Sequence, residues 1–330
     1  MAATFPVQTG SAFDVNPSYS GSFIPTLWSA KLNVKFYATT VFGDITNNTW
    51  EGEIKGIGDK VVINNIPDTV VASYSAGMTL SYPVPTPSTE ELIIDNGQYF
   101  AFQLNDVLAH QSSPKLMEVF TNDATMKMKI RIDSNVLYNT FQQAAAANVG
   151  ATAGAQSGSY NLGTDLAPIT LSGSNVVELL TSMSAVLDEQ NVPEDDRFLV
   201  IDPATRQWLM SSPLAQAYVT GDSQSMLRNG KIGTIDRFTV YVSNLLPRAA
   251  AGTATPYVSG DGSQSTITST SNLKRRIIIA GHKSAITFAS QMTKMETVRN
   301  PNDFGDYVRG LNVYGYLVAK PQSLTYAVVA

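Results

Sequence analysis

Residues 112–147 read SSPKLMEVFTNDATMKMKIRIDSNVLYNTFQQAAAA. A serine at the N-cap followed by Pro114 at the first helical position is a typical helix start, because the N–H that proline lacks would have no partner there. Apolar side chains then recur every four residues and also at other angles, with no further proline or glycine before Gly150. The stretch predicts a helix about 50 Å long that buries more than one face.

Part of this stretch also carries a strand signal. Residues 126–132 read MKMKIRI, and strict alternation of apolar and polar residues is typical of a half-buried strand. Asp123, Lys127 and Arg131, however, are spaced by four residues and can pair along one side of a helix. Because no turn residues flank the alternation, the context favours a helix.

The composition bounds the protein class. The chain has 330 residues, 43% of them hydrophobic and only 15% charged, which suffices for the core of one large domain or two smaller ones. Abundant Thr, Ser, Asn, Ala and Gly are typical of β-rich proteins with large contact surfaces, although a Thr/Ser-rich β protein without such surfaces fits equally well. The net charge of −5 argues against nucleic-acid binding over the whole surface, and the lack of cysteine excludes disulfides and thiolate metal sites.

The N-terminus has neither a basic nor an apolar leader segment, and no run approaches the roughly 20 apolar residues that cross a bilayer. We therefore expect a non-secreted, non-membrane protein.

Residues 1–22 form a polar arm in this interpretation, and residues 23–41 predict a short amphipathic helix. Residues 50–95 predict a β excursion that needs support from another chain, because isolated two-stranded ribbons are marginal in water. Its strands are expected at 60–66, 69–74, 79–84 and 90–95, and another strand at 98–106.

After the long helix the pattern changes to an α/β lobe. Residues 144–174 read as a loop between lobes, and residues 175–190 as an amphipathic helix. A buried strand at 197–202 leads to a helix that begins at Pro203 with Asp202 as its N-cap. A second low-complexity span, 248–274, precedes strands that continue to the C-terminus.

No stretch carries the chemistry of a catalytic, cofactor or metal site. His110 and His282 are the only histidines, and neither has a second metal-type ligand at a useful spacing. Residues 194–196, Glu-Asp-Asp, run consecutively, whereas calcium ligands alternate along a loop. The basic triplet 274–276 is interpreted as a solvated face.

Five stretches taken in order resemble the major capsid protein of tailed bacteriophages, which has the HK97-like fold, and in particular its P22-type coat-protein subfamily. They are FIPTLWSAKL (23–32), WEGEIKGIGDKV (50–61), NVPEDDRFLV (191–200), LRNGKIG (227–233) and GHKSAITFA (281–289). The resemblance implies an α+β fold that spans nearly the whole chain. Its expected parts are an N-terminal arm with a short helix (1–42), an extended E-loop (43–98), the peripheral-domain strand and spine helix (99–147), a linker and axial domain (148–290), and a return to the peripheral sheet (291–330).

The resemblance further implies a structural protein without enzymatic activity. Copies would form pentamers and hexamers that tile an icosahedral shell around double-stranded DNA, assembled in the host bacterial cytoplasm and retained in the virion. The implied partners are the portal protein, a separate scaffolding protein, a cement or decoration protein, and packaged DNA through weak non-specific contacts. Inter-subunit contacts are expected from Glu51, Glu53, Lys55, Lys60, Glu90, Glu91, Glu296, Arg299 and Arg309, while Lys127 and Arg131 would line the inner face.

Three alternatives belong to other classes. An encapsulin-like compartment would use the same fold around a cargo enzyme. A β-rich surface adhesin fits the Thr, Ser and Asn content, but it predicts an export signal that the sequence does not show. A hydrolase is disfavoured by the shortage of histidine.

Overall fold

The computed structural model describes residues 38–50, 60–64, 66–67, 69, 71–79, 82, 84, 87, 89–105, 116–212, 233–249, 256–258, 264–268, 275–301 and 304–330. Helices and strands are mixed in an α+β arrangement. The helices are α1 (Phe42–Ile45), α2 (Leu116–Thr140), α3 (Val176–Glu189) and α4 (Pro203–Met210). The strands are β1 (Lys60–Asn64), β2 (Thr89–Ile93), β3 (Asn96–Asn105), β4 (Arg197–Ile201), β5 (Thr234–Ile235), β6 (Phe238–Val242), β7 (Arg248–Ala249), β8 (Pro256–Val258), β9 (Gln264–Thr268), β10 (Arg275–His282), β11 (Ile286–Arg299), β12 (Gly305–Val318) and β13 (Leu324–Val329).

The long helix predicted from the sequence is present as α2, and it includes residues 126–132, so the strand alternative for that segment is wrong. The helix is shorter than predicted at its C-terminal end. It stops at Thr140 and continues only as one 3-10 turn, Phe141–Gln143. The chain then leaves the helical path because Ala145 N–H donates to the Pro321 carbonyl, 3.0 Å away, and the Asn148 side chain donates to two further carbonyls of the C-terminal segment.

A three-stranded antiparallel sheet, in the order β11-β12-β3, packs against α2. The aromatic ring of Tyr314 on β12 is fully buried between sheet and helix, and its hydroxyl accepts a hydrogen bond from Asn135 Nδ2 at 2.9 Å. The C-terminal half of α2 contributes Ile132, Val136 and Leu137 to the same core.

A larger sheet has the strand order β5-β6-β4-β10-β7-β8-β9, with β13 also paired to β10. Strands β4 and β6 are parallel and flank α4 in the chain, and Asp202 caps that helix by accepting from Thr205 N–H at 3.0 Å, as predicted. The apolar face of α3 covers this sheet, with Leu180, Met183 and Leu187 fully buried. The low-complexity span 248–274 contributes the short strands β7, β8 and β9, which the sequence analysis did not predict.

The C-terminal segment divides between the two sheets. Strands β11 and β12 belong to the smaller sheet, whereas β13 pairs with β10 in the larger one. The return of residues 291–330 to one sheet, expected from the resemblance, therefore does not hold for Leu324–Val329. The pairing of β13 with β10 is apolar and buried, since its side chains include Ile277, Ile279, Ala327 and Val329.

Candidate inter-subunit surfaces

The hairpin of β1 and β2 is anchored at its base. Leu92 and Ile63 are buried against Ala289 of β11, with Val313 and Leu317 of β12 packed beside them. Gly315 permits this contact, since a Cβ atom there would lie 2.2 Å from the Ile93 carbonyl oxygen. The burial of these side chains thus fixes the point at which the hairpin leaves the three-stranded sheet.

Beyond the base, the hairpin tip is uncovered. The strands predicted at 69–74 and 79–84 are not strands among the residues that the structure describes there. A turn at Ala76 and Gly77, with a positive φ of 91° at the glycine, reverses the chain. Exposed apolar side chains of 74–94% fractional exposure mark the tip, namely Ile66, Val71, Tyr74, Tyr82 and Val84.

Three of the predicted contact residues lie in the described part of this hairpin. Lys60 Nζ lies 2.8 Å from Glu91 Oε1 in a half-exposed ion pair across the two strands, and Glu90 is half-buried beside it. Glu51, Glu53 and Lys55 lie outside the described residues.

The predicted charges near the C-terminus pair within the chain. Glu296 and Arg309 are direct cross-strand neighbours on β11 and β12, and Arg309 Nη2 lies 2.6 Å from Glu296 Oε2. Lys294 contacts the other oxygen of Glu296. Hydrogen bonds from Lys294 and Arg309 lower the pKa of this carboxyl group. Arg299 likewise lies 3.3 Å from its register partner Asp306.

The basic residues of the long helix are exposed but not isolated. Lys127 Nζ lies 3.3 Å from Asp123 Oδ2, one helical turn away. Arg131 is exposed on the same side, whereas Ile132 is buried against the sheet and Met128 is half-buried. Of the three charges on this side of α2, one is therefore negative and two are positive.

A buried carboxyl group on α2 escaped the sequence analysis. Asp133 is fully buried, and its two oxygens accept the backbone N–H groups of Val41 and Phe42 at 3.1 and 2.9 Å. Burial raises the pKa of Asp133 to about 7, against the smaller opposing effect of the two hydrogen bonds. The sequence did carry a signal that Asp133 is buried, because this acidic residue follows the apolar Ile132 and lies one helical turn before the apolar Leu137.

Buried arginines in the larger sheet were also missed. Arg275 was predicted on a solvated face, but its side chain is fully buried and its Nη1 lies 2.7 Å from Asp165 Oδ1. The next residue, Arg276, pairs with the N-cap Asp202 at 3.0 Å. Burial with a carboxylate partner makes Arg275 part of the core, Arg276 is half-buried, and Lys274 lies outside the described residues.

No catalytic or metal-binding arrangement is found in the part of the chain that the structure describes. No three His, Asp or Glu residues there are placed to hold a metal ion. His282 Nδ1 lies 2.7 Å from Ser284 Oγ within a turn, and burial lowers its pKa. Glu194 of the acidic triplet is 3.2 Å from Arg237, and His110 lies outside the described residues. None of the described helices is both long and apolar enough to cross a membrane.

The model of a family described as phage capsid protein matches residues 93–327, more than half of the chain. The chain belongs to the phage capsid protein family. It is a major coat protein, and the solved structures it resembles identify its fold as the HK97-like capsid fold. No curated protein matches the sequence.

Three solved capsid structures illustrate the shared fold. A chain of Mycobacterium phage Che8 is 23% identical, with a TM-score of 0.71 over 92% of this chain and 96% of that one. The capsid of cyanophage P-SCSP1u has 18% identity and a TM-score of 0.66, over 93% of each chain. The mature capsid of bacteriophage PhiM1 has 13% identity and a TM-score of 0.65, over 96% of each chain. The likeness therefore extends over nearly the full length of each protein.

Proposed function

We propose that copies of this coat protein assemble into pentamers and hexamers that tile an icosahedral shell around double-stranded DNA. The observation that carries the proposal is the uncovered hairpin tip. Val71 is 94% exposed and Tyr74 is 74% exposed, on a two-stranded ribbon whose base alone is packed. Large apolar side chains that the described part of the chain does not cover mark a surface for another protein segment, and a neighbouring copy is the partner we propose.

The role we propose is structural, without catalysis. Its partners would be other copies of the chain, a portal protein, a separate scaffolding protein and a cement or decoration protein. The shell would assemble in the host bacterial cytoplasm, and the protein would remain in the virion. We propose the domain boundaries inferred from the resemblance, 1–42, 43–98, 99–147, 148–290 and 291–330, for the subunit within that shell, with the correction that Leu324–Val329 belongs to the larger sheet.

We assign the predicted charged residues to contacts within the shell. The residues that would face a neighbouring subunit are Lys60, Glu90 and Glu91 on the hairpin, and Glu51, Glu53 and Lys55 before it. Glu296, Arg299 and Arg309 would do the same on the three-stranded sheet. Their pairing within one chain leaves each cluster nearly neutral, which suits surfaces that must approach one another without repulsion.

Lys127 and Arg131 would line the inner face and contact DNA weakly. Because Asp123 already neutralises Lys127, this face would attract DNA without holding it at fixed positions.

The test is to express the chain with and without a candidate scaffolding protein and to image the product by electron microscopy. We expect closed angular shells of uniform size. A matched variant, Tyr74→Ser, removes one exposed apolar contact without touching the packed base of the hairpin, and it should reduce the yield of shells. A chain that stays monomeric under all conditions would contradict the proposal.

A further inference from the structure

Residues 38–47, here called the strap, are fastened to three parts of the fold. The carbonyl of Thr39 accepts a hydrogen bond from Ser243 Oγ, which directly follows β6 of the larger sheet, at 3.5 Å. Asp133 of α2 accepts two backbone N–H groups of the strap. Asn47 exchanges backbone hydrogen bonds of 2.8 and 3.0 Å with the start of β11 in the smaller sheet. The strap therefore links both sheets and the long helix.

The apolar side chains of the strap lie in the core at the junction of the two sheets. Val41 and Ile45 are buried there, in the same cluster as Leu245, which lies just after β6. Phe42 adds a tilted ring contact with Phe288 of β11, with centroids 5.1 Å apart. Opening of the strap would expose part of this core to water, so these contacts hold the strap closed.

The contact of the strap that a proton can change is the one with Asp133. This carboxyl group is fully buried, and its two hydrogen-bond donors are uncharged backbone groups. Burial and these two donors are what shift its pKa, and no charged side chain of the described residues contributes. A buried carboxylate without a cationic partner is costly, whereas a buried carboxylic acid is much less so. The closed strap therefore favours the protonated form of Asp133.

The elements packed around Asp133 offer no compensating charge in the part of the chain that the structure describes. The facing parts of β10 and β11, residues 277–281 and 286–290, contain no titratable side chain. The titratable groups on the other elements are Asp44 of α1, Lys129 of α2, Tyr241 of β6 and Tyr314 of β12. The first two are exposed, and tyrosine phenols carry no charge below pH 8.

We propose that the strap is a proton-dependent closure, which stays shut over the junction of the two sheets while Asp133 is protonated and opens when Asp133 ionises. In the open strap the carboxylate reaches water, and the two N–H groups donate to water as well. Residues 1–37 precede the strap, so a single proton would set how firmly this part of the sequence is attached to the subunit. The inference goes beyond the proposed function and does not depend on it, because all these contacts lie within one chain.

The sign and the size of the effect follow from the two states of the carboxyl group. Its pKa is about 7 with the strap closed and 3.8 when it is hydrated, so ionisation favours the open strap. Between pH 5 and pH 8 the ratio of open to closed strap should rise by up to about 80-fold. Below pH 3.8 both states are protonated, and the ratio should not change with pH.

Hydrogen exchange of the full chain tests the proposal, read by mass spectrometry from pH 5 to pH 8 and corrected for the intrinsic pH dependence of amide exchange. Six amides of the strap donate hydrogen bonds, namely those of Val41, Phe42, Asp44, Ile45, Thr46 and Asn47. We expect their protection to fall by about tenfold or more over this range. They should also exchange faster than the amides of β4 at each pH, because the strap opens without unfolding of the larger sheet.

Two matched variants assign the effect to one carboxyl group. Asp133→Asn keeps a neutral hydrogen-bond acceptor at the buried position, and its strap protection should stay within about twofold from pH 5 to pH 8. Asp44→Asn removes an exposed carboxyl group from the strap itself and should retain the fall in protection.

Three outcomes would overturn the proposal. The first is constant protection of the strap in the unmodified chain, which decides the matter even if Asp133→Asn does not fold. The second is equal protection of the strap and β4 at every pH, because the strap would then open only when the whole chain unfolds. The third is a fall in protection that Asp133→Asn retains.

Discussion

The two halves of α2 have similar apolar content but very different surroundings. In the C-terminal half, Leu137 and Val136 are completely buried by the two sheets. In the N-terminal half, Val119 and Phe120 are about 40% exposed, although their spacing is equally helical. The difference teaches that the sequence encodes burial on more than one face of the helix, while the described part of the chain covers mainly its C-terminal half. Under the proposed function, contacts between copies would cover the rest.

The sharpest way to test this difference is to truncate one side chain in each half. Leu137→Ala should lower the free energy of unfolding by about 2–5 kcal/mol, because it leaves a cavity in a packed core. Val119→Ala, in the exposed half, should cost less than about 1 kcal/mol. Urea unfolding of the unassembled chain measures both values. Equal losses would mean that the two halves are equally covered in the free chain.

The second prediction concerns pH and the buried half. The pKa of Asp133 is raised from 3.8 to about 7 in the folded chain, so the native state holds this proton more tightly than the unfolded state. Stability from this group is therefore fully present below pH 3.8 and is lost as the pH rises towards 7, by up to about 4 kcal/mol. Asp133→Asn should remove that loss between pH 4 and 7, as measured by urea unfolding at several pH values.

The control for this prediction is Ser134→Ala, which changes a buried polar neighbour without removing the carboxyl group. It should keep the pH dependence of the unmodified chain. An unchanged slope in Asp133→Asn would show that other groups set the pH dependence.

The third prediction concerns Phe120, in the exposed half. Its ring meets Phe102 edge-on, with centroids 6.0 Å apart, so Phe120→Ser should cost the free chain about 1 kcal/mol. Its effect on shell yield should be larger, about tenfold, because Phe120 lines an open groove of about 760 Å³ between α2 and β3, a surface that we expect to take part in assembly. Comparing unfolding of the free chain with particle yield separates the two effects. A loss of yield no larger than the loss of stability would argue against an assembly contact.

The smallest effect is expected at the surface ion pair of the same half. Lys127→Gln breaks the pair with Asp123 and should lower the stability of the free chain by about 0.3 kcal/mol, less at high salt. Thermal unfolding at low and high salt measures the difference. A large loss would indicate that Lys127 has a structural role beyond this pair.

Local sequence signals were sufficient for most of α2, for α3 and α4, and for much of the larger sheet, whereas α1 was not predicted and the helix predicted at 23–41 lies mostly outside the described residues. The N-cap at Asp202 and the apolar stripe of α3 depend on residues close in sequence, and both were predicted correctly. The end of α2 was not, because residues 144–147 are alanines with high helix propensity. What ends the helix is a set of hydrogen bonds to residues near Pro321, far along the chain.

The charged contacts show the same limit. Glu296 and Arg309 were predicted to contact other subunits, and the prediction did not include that they face each other within one chain. A signal did exist, since Glu296–Arg309 and Arg299–Asp306 are each centred on the same turn, as residues paired in one hairpin must be. Asp133 and Arg275 were missed for a different reason: their partners, Val41, Phe42 and Asp165, are about 90 to 110 positions away.

The contact between Asp133 and the start of α1 also has a mechanical consequence. A tensile load applied at Ala38 meets a long hydrogen bond from Ser243 Oγ to the Thr39 carbonyl, at 3.5 Å, and then the two shorter hydrogen bonds at Val41 and Phe42. Only after these break does the load reach Asn47, whose backbone is hydrogen-bonded to Ile286 and Phe288 at the start of β11. The two attachments act in series, so the first protects the three-stranded sheet from strain. Because Asp133 accepts both hydrogen bonds, ionisation of its carboxyl group would change the force that this first attachment withstands.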